Sequence, residues 1–90
     1  MNTVGSYLVE FIGTLIFMYV IITTGSAIPI GITLAAMIFF GGKISGGAFN
    51  PAVSVMLFLK KSISFSSFLI YLIVQFMAAY FAYLLSTMKF

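Results

Sequence analysis

The chain has no cysteine and no histidine, and charged residues make up only 6% of its 90 positions. Without cysteine there is no disulfide framework and no thiolate chemistry. Without histidine the commonest general base is missing, and so are the soft metal sites that Cys and His build. No metal and no cofactor is therefore expected. An ordinary soluble domain carries about 25% charged residues. Four lysines and one acidic residue, Glu10, cannot cover a soluble surface. These shortages argue against a soluble enzyme, a nucleic-acid binder and a disordered segment. The net charge of +3 comes from single lysines, not from a basic patch interleaved with aromatics.

What is present is hydrophobic: 63% of the residues. The length allows one small domain, and the composition makes it an integral membrane protein, with the lipid bilayer as its main partner. A hydrocarbon core of about 30 Å needs about 20 apolar residues per helix. The sequence predicts an all-α membrane protein with spanning helices over 4–24, 27–40 and 65–87. Gly25-Ser26-Ala27 has the look of a small-residue cleavage site. However, no Lys or Arg precedes the first run and Glu10 lies near its start, so a retained span is expected rather than a signal peptide. Gly25 and Ser26 turn the chain, and Pro29 sits in the first turn of the next helix, where proline is tolerated.

The stretch 41–59 differs from the rest. It begins Gly41-Gly42-Lys43-Ile44-Ser45-Gly46-Gly47-Ala48-Phe49-Asn50-Pro51, continues as the apolar run Ala52 to Leu59, and ends at Lys60-Lys61. Irregular backbone at membrane depth is tolerated only where protein buries it or it lines a watery cavity. Asn50 is a preferred N-cap, and Pro51 at the first helical position sacrifices no needed N–H. From Pro51 to Leu59 a helix rises about 13 Å, roughly half of the hydrocarbon core. The expected form is a re-entrant loop and half-helix over 41–59, with the positive helix end at the bilayer middle. The carbonyls of Gly46, Gly47, Ala48 and Phe49 would then offer acceptors to water or small alcohols. The Asn50 side-chain oxygen would cap the half-helix and leave its NH₂ as a donor, and the positive helix end would repel cations.

Three helix faces carry small or polar residues at helical spacing: Ser6, Glu10, Gly13, Thr14 and Phe17; Ala27, Gly31 and Ala35; and Tyr71, Gln75, Ala78, Ala79, Ala82 and Ser86. Glu10 is a functional-site candidate because ionisable groups in spans are rare. The competing role, which is favoured, is a fixed acceptor for buried N–H groups. Gln75 is expected to need a protein partner in the same way.

Ile44-Ser45-Gly46-Gly47-Ala48-Phe49-Asn50-Pro51-Ala52-Val53-Ser54 resembles the first Asn-Pro-Ala signature of the major intrinsic proteins, the aquaporin and aquaglyceroporin family. Val9-Glu10-Phe11-Ile12-Gly13-Thr14 resembles that family's first-helix motif, and Gln75 within Tyr71–Phe76 matches its third helix. The resemblance implies that Asn50, Pro51 and Ala52 form half of a central constriction, and that Glu10 and Gln75 hold the re-entrant loop. It places Ile30 at the outer selectivity filter, with Val53 where the family's second repeat usually carries a filter arginine. The chain departs from the family in having one such segment and three spans, in containing no arginine, and in carrying Lys43 and Ala48 where histidines are common.

The function so implied is a passive channel, not an enzyme, for water or small neutral solutes such as glycerol. It would be assembled from two halves: an antiparallel homodimer or a second-half partner chain. A small proton-coupled exporter using Glu10 and a non-functional fragment are the alternatives. With Lys43, Lys60 and Lys61 inside and Lys89 outside, the amino terminus is expected to be cytoplasmic.

Overall fold

In the computed structural model, which describes residues 3–90, the chain forms four helices: α1 (Val4–Thr24), α2 (Ala27–Ser45), α3 (Pro51–Leu59) and α4 (Phe65–Ser86). The expected cytoplasmic amino terminus itself lies outside the described residues. Polar side chains start three of the helices. Thr3 and Ser6 form a reciprocal capping box on α1, Asn50 accepts from the Val53 N–H on α3, and Ser64 accepts from the Ser67 N–H on α4. α1 ends at Gly25, whose φ of 56° is left-handed. By length and composition α1, α2 and α4 can each cross a membrane. At nine residues, α3 cannot.

The sequence places the end of the second helix at Phe40, and the structure corrects this. α2 continues through Gly41 and Gly42 to Ser45 and stops only at Gly46, which has φ 88°. A helical glycine costs about 1 kcal/mol relative to alanine. In lipid, breaking the backbone ladder costs several kcal/mol per orphaned group, so the helix persists. Irregular backbone is thus confined to 46–50. α4 stops at Ser86, one residue before the expected end.

Paired residues reveal the directions of the helices. Tyr7 meets Ser67, Glu10 meets Gln75, and the Phe11 ring meets Phe81, so α1 and α4 run parallel. Gly5 lies beside Ile44 while Val9 faces Gly41, so α2 returns antiparallel to α1. Ser54 meets Gln75 and the Phe58 ring stacks on Phe68, so α3 runs antiparallel to α4. Gln75 is the eleventh of the 22 residues of α4, which sets the start of α3 near mid-span. The chain therefore crosses three times, with a short helix entering halfway and turning back. This is half of an aquaporin-like fold.

The interior is rich in polar groups and the exterior is largely apolar. Ser6, Glu10, Thr14, Ser45, Ser54, Ser67 and Gln75 are buried, whereas Phe39, Phe40, Ile32, Phe76 and Tyr80 are exposed. Lipid solvates apolar side chains as well as another helix does, so burial is left to groups that need partners. The buried apolar residues are few: Ala48, Phe49, Leu57, Ile63, Tyr71, Ala78 and Ala82. The small-residue faces of the first and third spans lie largely inside. That of α2 does not: Ala27, Gly31 and Ala35 are exposed, and a Cβ at Gly31 would meet nothing within 4 Å.

Candidate functional site

The site begins with Glu10, fully buried in α1. Four donors converge on its carboxylate. Oε2 accepts from Ser45 Oγ at 2.6 Å and from the Ala48 N–H at 3.1 Å. Oε1 accepts from the Phe49 N–H at 2.8 Å and from Gln75 Nε2 at 3.0 Å. This is the pattern of an acceptor-only carboxylate with its oxygens shared among neutral donors. Gln75 Nε2 also donates to Ser54 Oγ at 2.7 Å. The reverse amide orientation would set Gln75 Oε1 against Glu10 Oε1, acceptor to acceptor. Ser54 Oγ in turn donates to the Asn50 carbonyl at 3.0 Å. One chain of hydrogen bonds thus links α1, α4, α3 and the loop.

The loop 46–50 is polarised by this arrangement. The Gly46 N–H donates to the Gly42 carbonyl, the Gly47 N–H to Ser45 Oγ, and the next two N–H groups to Glu10. Among the described residues the carbonyls of Gly46, Gly47, Ala48 and Phe49 accept no hydrogen bond. Gly46 and Gly47 have φ of 88° and 68°, conformations glycine adopts at little cost. Phe49 has φ 58°, which a phenylalanine rarely adopts. Tyr71 OH donates to the Ser45 carbonyl at 2.6 Å, tying the loop's entry to α4.

Asn50 Oδ1 accepts from the Val53 N–H at 2.9 Å, and the Asn50 carbonyl accepts from the Ser54 N–H at 3.1 Å. With Oδ1 engaged, the side-chain NH₂ is the free end, lying at the positive terminus of α3. Asn50, Pro51 and Val53 are half-buried and Ala52 is exposed. Ile30 is half-buried, one turn into α2 and about 22 Å along the helix from Ser45. The structure therefore gathers Glu10, Gln75, the loop and Asn50 into one network, and leaves Ile30 well up α2. Lys43 is exposed in the last turn of α2, and Ala48 is in the core. Among the described residues no cluster of His, Cys, Asp or Glu could hold a metal ion.

Ser45, Ser54 and Tyr71 belong to this network but were not singled out as site residues from the sequence. A signal was there. Ser54 lies four residues after Asn50 and Tyr71 four before Gln75, so each shares a helix face with a residue already suspected.

The major intrinsic protein family matches residues 22–89 of the chain, and Glu10 lies before that stretch. Glycerol uptake facilitator protein-like 6 of Lactiplantibacillus plantarum is 36% identical over 84 residues, covering 81% of this chain and 38% of that protein. Aquaporin PIP1-2 of Zea mays is 32% identical over 87 residues, covering 78% of this chain and 30% of that protein. Aquaporin PIP-type of Atriplex canescens is 32% identical over 83 residues, covering 73% and 29%. The chain thus spans only about a third of the length of these curated relatives. No solved structure matches it significantly. With the match running through α2, the loop, α3 and α4, this chain belongs to the major intrinsic protein family.

Proposed function

We propose that the chain is one half of a passive channel for water and small neutral solutes such as glycerol, and not an enzyme. The observation that supports this most is the polarity of the 46–50 loop: the N–H groups of Gly47, Ala48 and Phe49 turn inward to Ser45 and Glu10 while four successive carbonyls keep their acceptor capacity. Acceptors in file, beside a side-chain donor at Asn50 and a positive helix end, suit a neutral solute that both donates and accepts. They disfavour a cation. Relatives named as aquaporins and a glycerol uptake facilitator agree with that chemistry. Glu10 is a poor site for a transported proton, because four donors already occupy a fully buried carboxylate.

The second half is required by the same physics. α3 reaches only to mid-span, and carbonyls left against lipid cost several kcal/mol each. Inverted repeats meeting at the midplane resolve this in membrane transport proteins. A second copy inserted upside down would bring two Asn50 residues, each with its Pro51 and Ala52, to the centre. Ile30 and Val53 of each copy would line a filter lacking arginine, apolar and inclined to glycerol-like solutes. A separate chain carrying an arginine-bearing second repeat would fit the lysine bias better, since Lys43, Lys60 and Lys61 on one side against Lys89 on the other opposes dual insertion. We take the antiparallel homodimer as the working form, with the amino terminus cytoplasmic. Single cysteines beside Asn50 should cross-link two copies in vesicles that swell in a glycerol gradient. Swelling without such a pair would overturn the homodimer, and pairing without swelling would overturn a channel made of two copies, pointing to a missing partner chain or a non-functional fragment.

A further inference from the structure

Phe49 combines two features that are individually uncommon. Its backbone is left-handed, with φ 58°, where glycine would be relaxed, and its side chain is fully buried. Strain of this kind persists only where the surroundings over-determine it. Two contacts do so here. The Phe49 N–H is held by Glu10 Oε1 at 2.8 Å. The ring fills a notch that exists because α1 and α2 carry glycine at positions 13 and 41. A methyl group on Gly13 would lie 2.2, 2.7 and 2.9 Å from three atoms of the Phe49 ring. One on Gly41 would lie 3.3 Å from Phe49 Cζ and 2.7 Å from Val9 Cγ1. Gly13 is buried, so the notch is closed by the ring itself.

The residue after Phe49 is Asn50. The direction of the Asn50 side chain depends on the φ and ψ that precede it and on the single bond from the Val53 N–H to Oδ1. Ser54 holds the Asn50 carbonyl, but with one bond to the side chain the direction of the NH₂ also depends on how the loop delivers Asn50 to α3. We propose that Phe49 is the positioning residue for the Asn50 amide, its ring locked between Gly13 and Gly41 and its backbone N–H locked on Glu10. The proposal rests on the channel reading only for its consequence: an amide held in one orientation presents its NH₂ to the permeating file.

The chain contains two asparagines, Asn2 and Asn50, so asparagine-selective ¹⁵N labelling of an Asn2→Gln background leaves one side-chain amide to observe. In lipid nanodiscs that amide should give one set of side-chain peaks. Gly13→Ala drives a methyl into the ring, and Phe49→Ala empties the notch. Each should shift the set or split it while helical circular dichroism is retained. Should Gly13→Ala fail to fold, Phe49→Ala carries the test. The double variant Gly13→Ala/Phe49→Leu, with a shorter and more flexible side chain at 49, should restore the single set. In osmotic assays per copy inserted, Gly13→Ala should lose at least about tenfold in permeability and the double variant should regain it, as expected when a recognition group is misplaced by about 1 Å. Unchanged Asn50 peaks in Gly13→Ala or Phe49→Ala, or no restoration in the folded double variant, would overturn the proposal. Peaks that behave as described in a protein that conducts nothing would leave the positioning role standing and remove the channel.

Discussion

Replacing Glu10 with glutamine changes one oxygen into an NH₂ at the centre of four converging donors. If the amide replaces Oε1, Gln75 can turn over and offer its oxygen, which has no partner in the native arrangement. The Phe49 N–H has no such freedom. If it replaces Oε2, the Ser45 hydroxyl can rotate to accept, but the Ala48 N–H cannot move. Either way one backbone donor is orphaned in a buried site, at about 1–3 kcal/mol, and three remaining bonds fall from charged to neutral strength, about 1 kcal/mol each. The cheaper burial of a neutral amide offsets part of this loss. The net destabilisation of the loop is therefore about 2–4 kcal/mol, a factor of about 30 to 700 in its opening equilibrium. Amide hydrogen exchange at Ala48 and Phe49 in detergent or nanodiscs reads that factor directly, and thermal unfolding by circular dichroism should shift downward with it. Unchanged protection at both amides would refute the claim that Glu10 holds the loop. Loss of a proton-coupled flux with protection intact would restore the exporter reading in its place.

Other outcomes follow from the same contacts. Tyr71→Phe removes the 2.6 Å bond to the Ser45 carbonyl and should cost about 1–2 kcal/mol in denaturant unfolding, with no change in the buried ring packing; a loss below about 0.3 kcal/mol would contradict it. Ser54→Ala removes two hydrogen bonds, one from Gln75 and one to the Asn50 carbonyl, and should raise exchange at the Val53 amide about tenfold, equivalent to about 1.4 kcal/mol in the opening equilibrium. Asn50→Asp puts a carboxylate where the donor was, so it should admit a cation leak and slow water, measured together in one vesicle preparation. An unaltered ratio of the two fluxes would count against Asn50 as the pore group. In intact cells an impermeant thiol reagent should label Phe90→Cys and spare Asn2→Cys, and the opposite pattern would reverse the orientation.

The three spans were legible because lipid demands long apolar runs, and runs of about 20 residues are hard to hide. The short helix was legible because Asn50-Pro51 marks a start and nine residues cannot cross. The end of α2 was not, because Gly41 and Gly42 read as breakers. In the fold Gly41 is a contact surface for Val9 and Phe49, and lipid keeps its backbone helical. The surroundings of the face formed by Ala27, Gly31 and Ala35 were not legible either. Spacing shows that a face is small without showing which neighbour it meets, and here it meets no helix of its own chain. Glu10 and Gln75 stood out singly as polar groups in apolar runs. That they share Ser45, Ser54 and two loop amides depends on helix directions, which periodicity does not carry.

The account turns on whether solute passes where the loop carbonyls and Asn50 lie. Stopped-flow light scattering of proteoliposomes holding only this chain, with internal pH followed at the same time, tests that most directly. The expected result is osmotic relaxation faster than in empty vesicles, with no accompanying proton flux and a slowing in Asn50→Asp. Relaxation no faster than that of empty vesicles, in preparations where antiparallel pairs cross-link at Asn50, would contradict it.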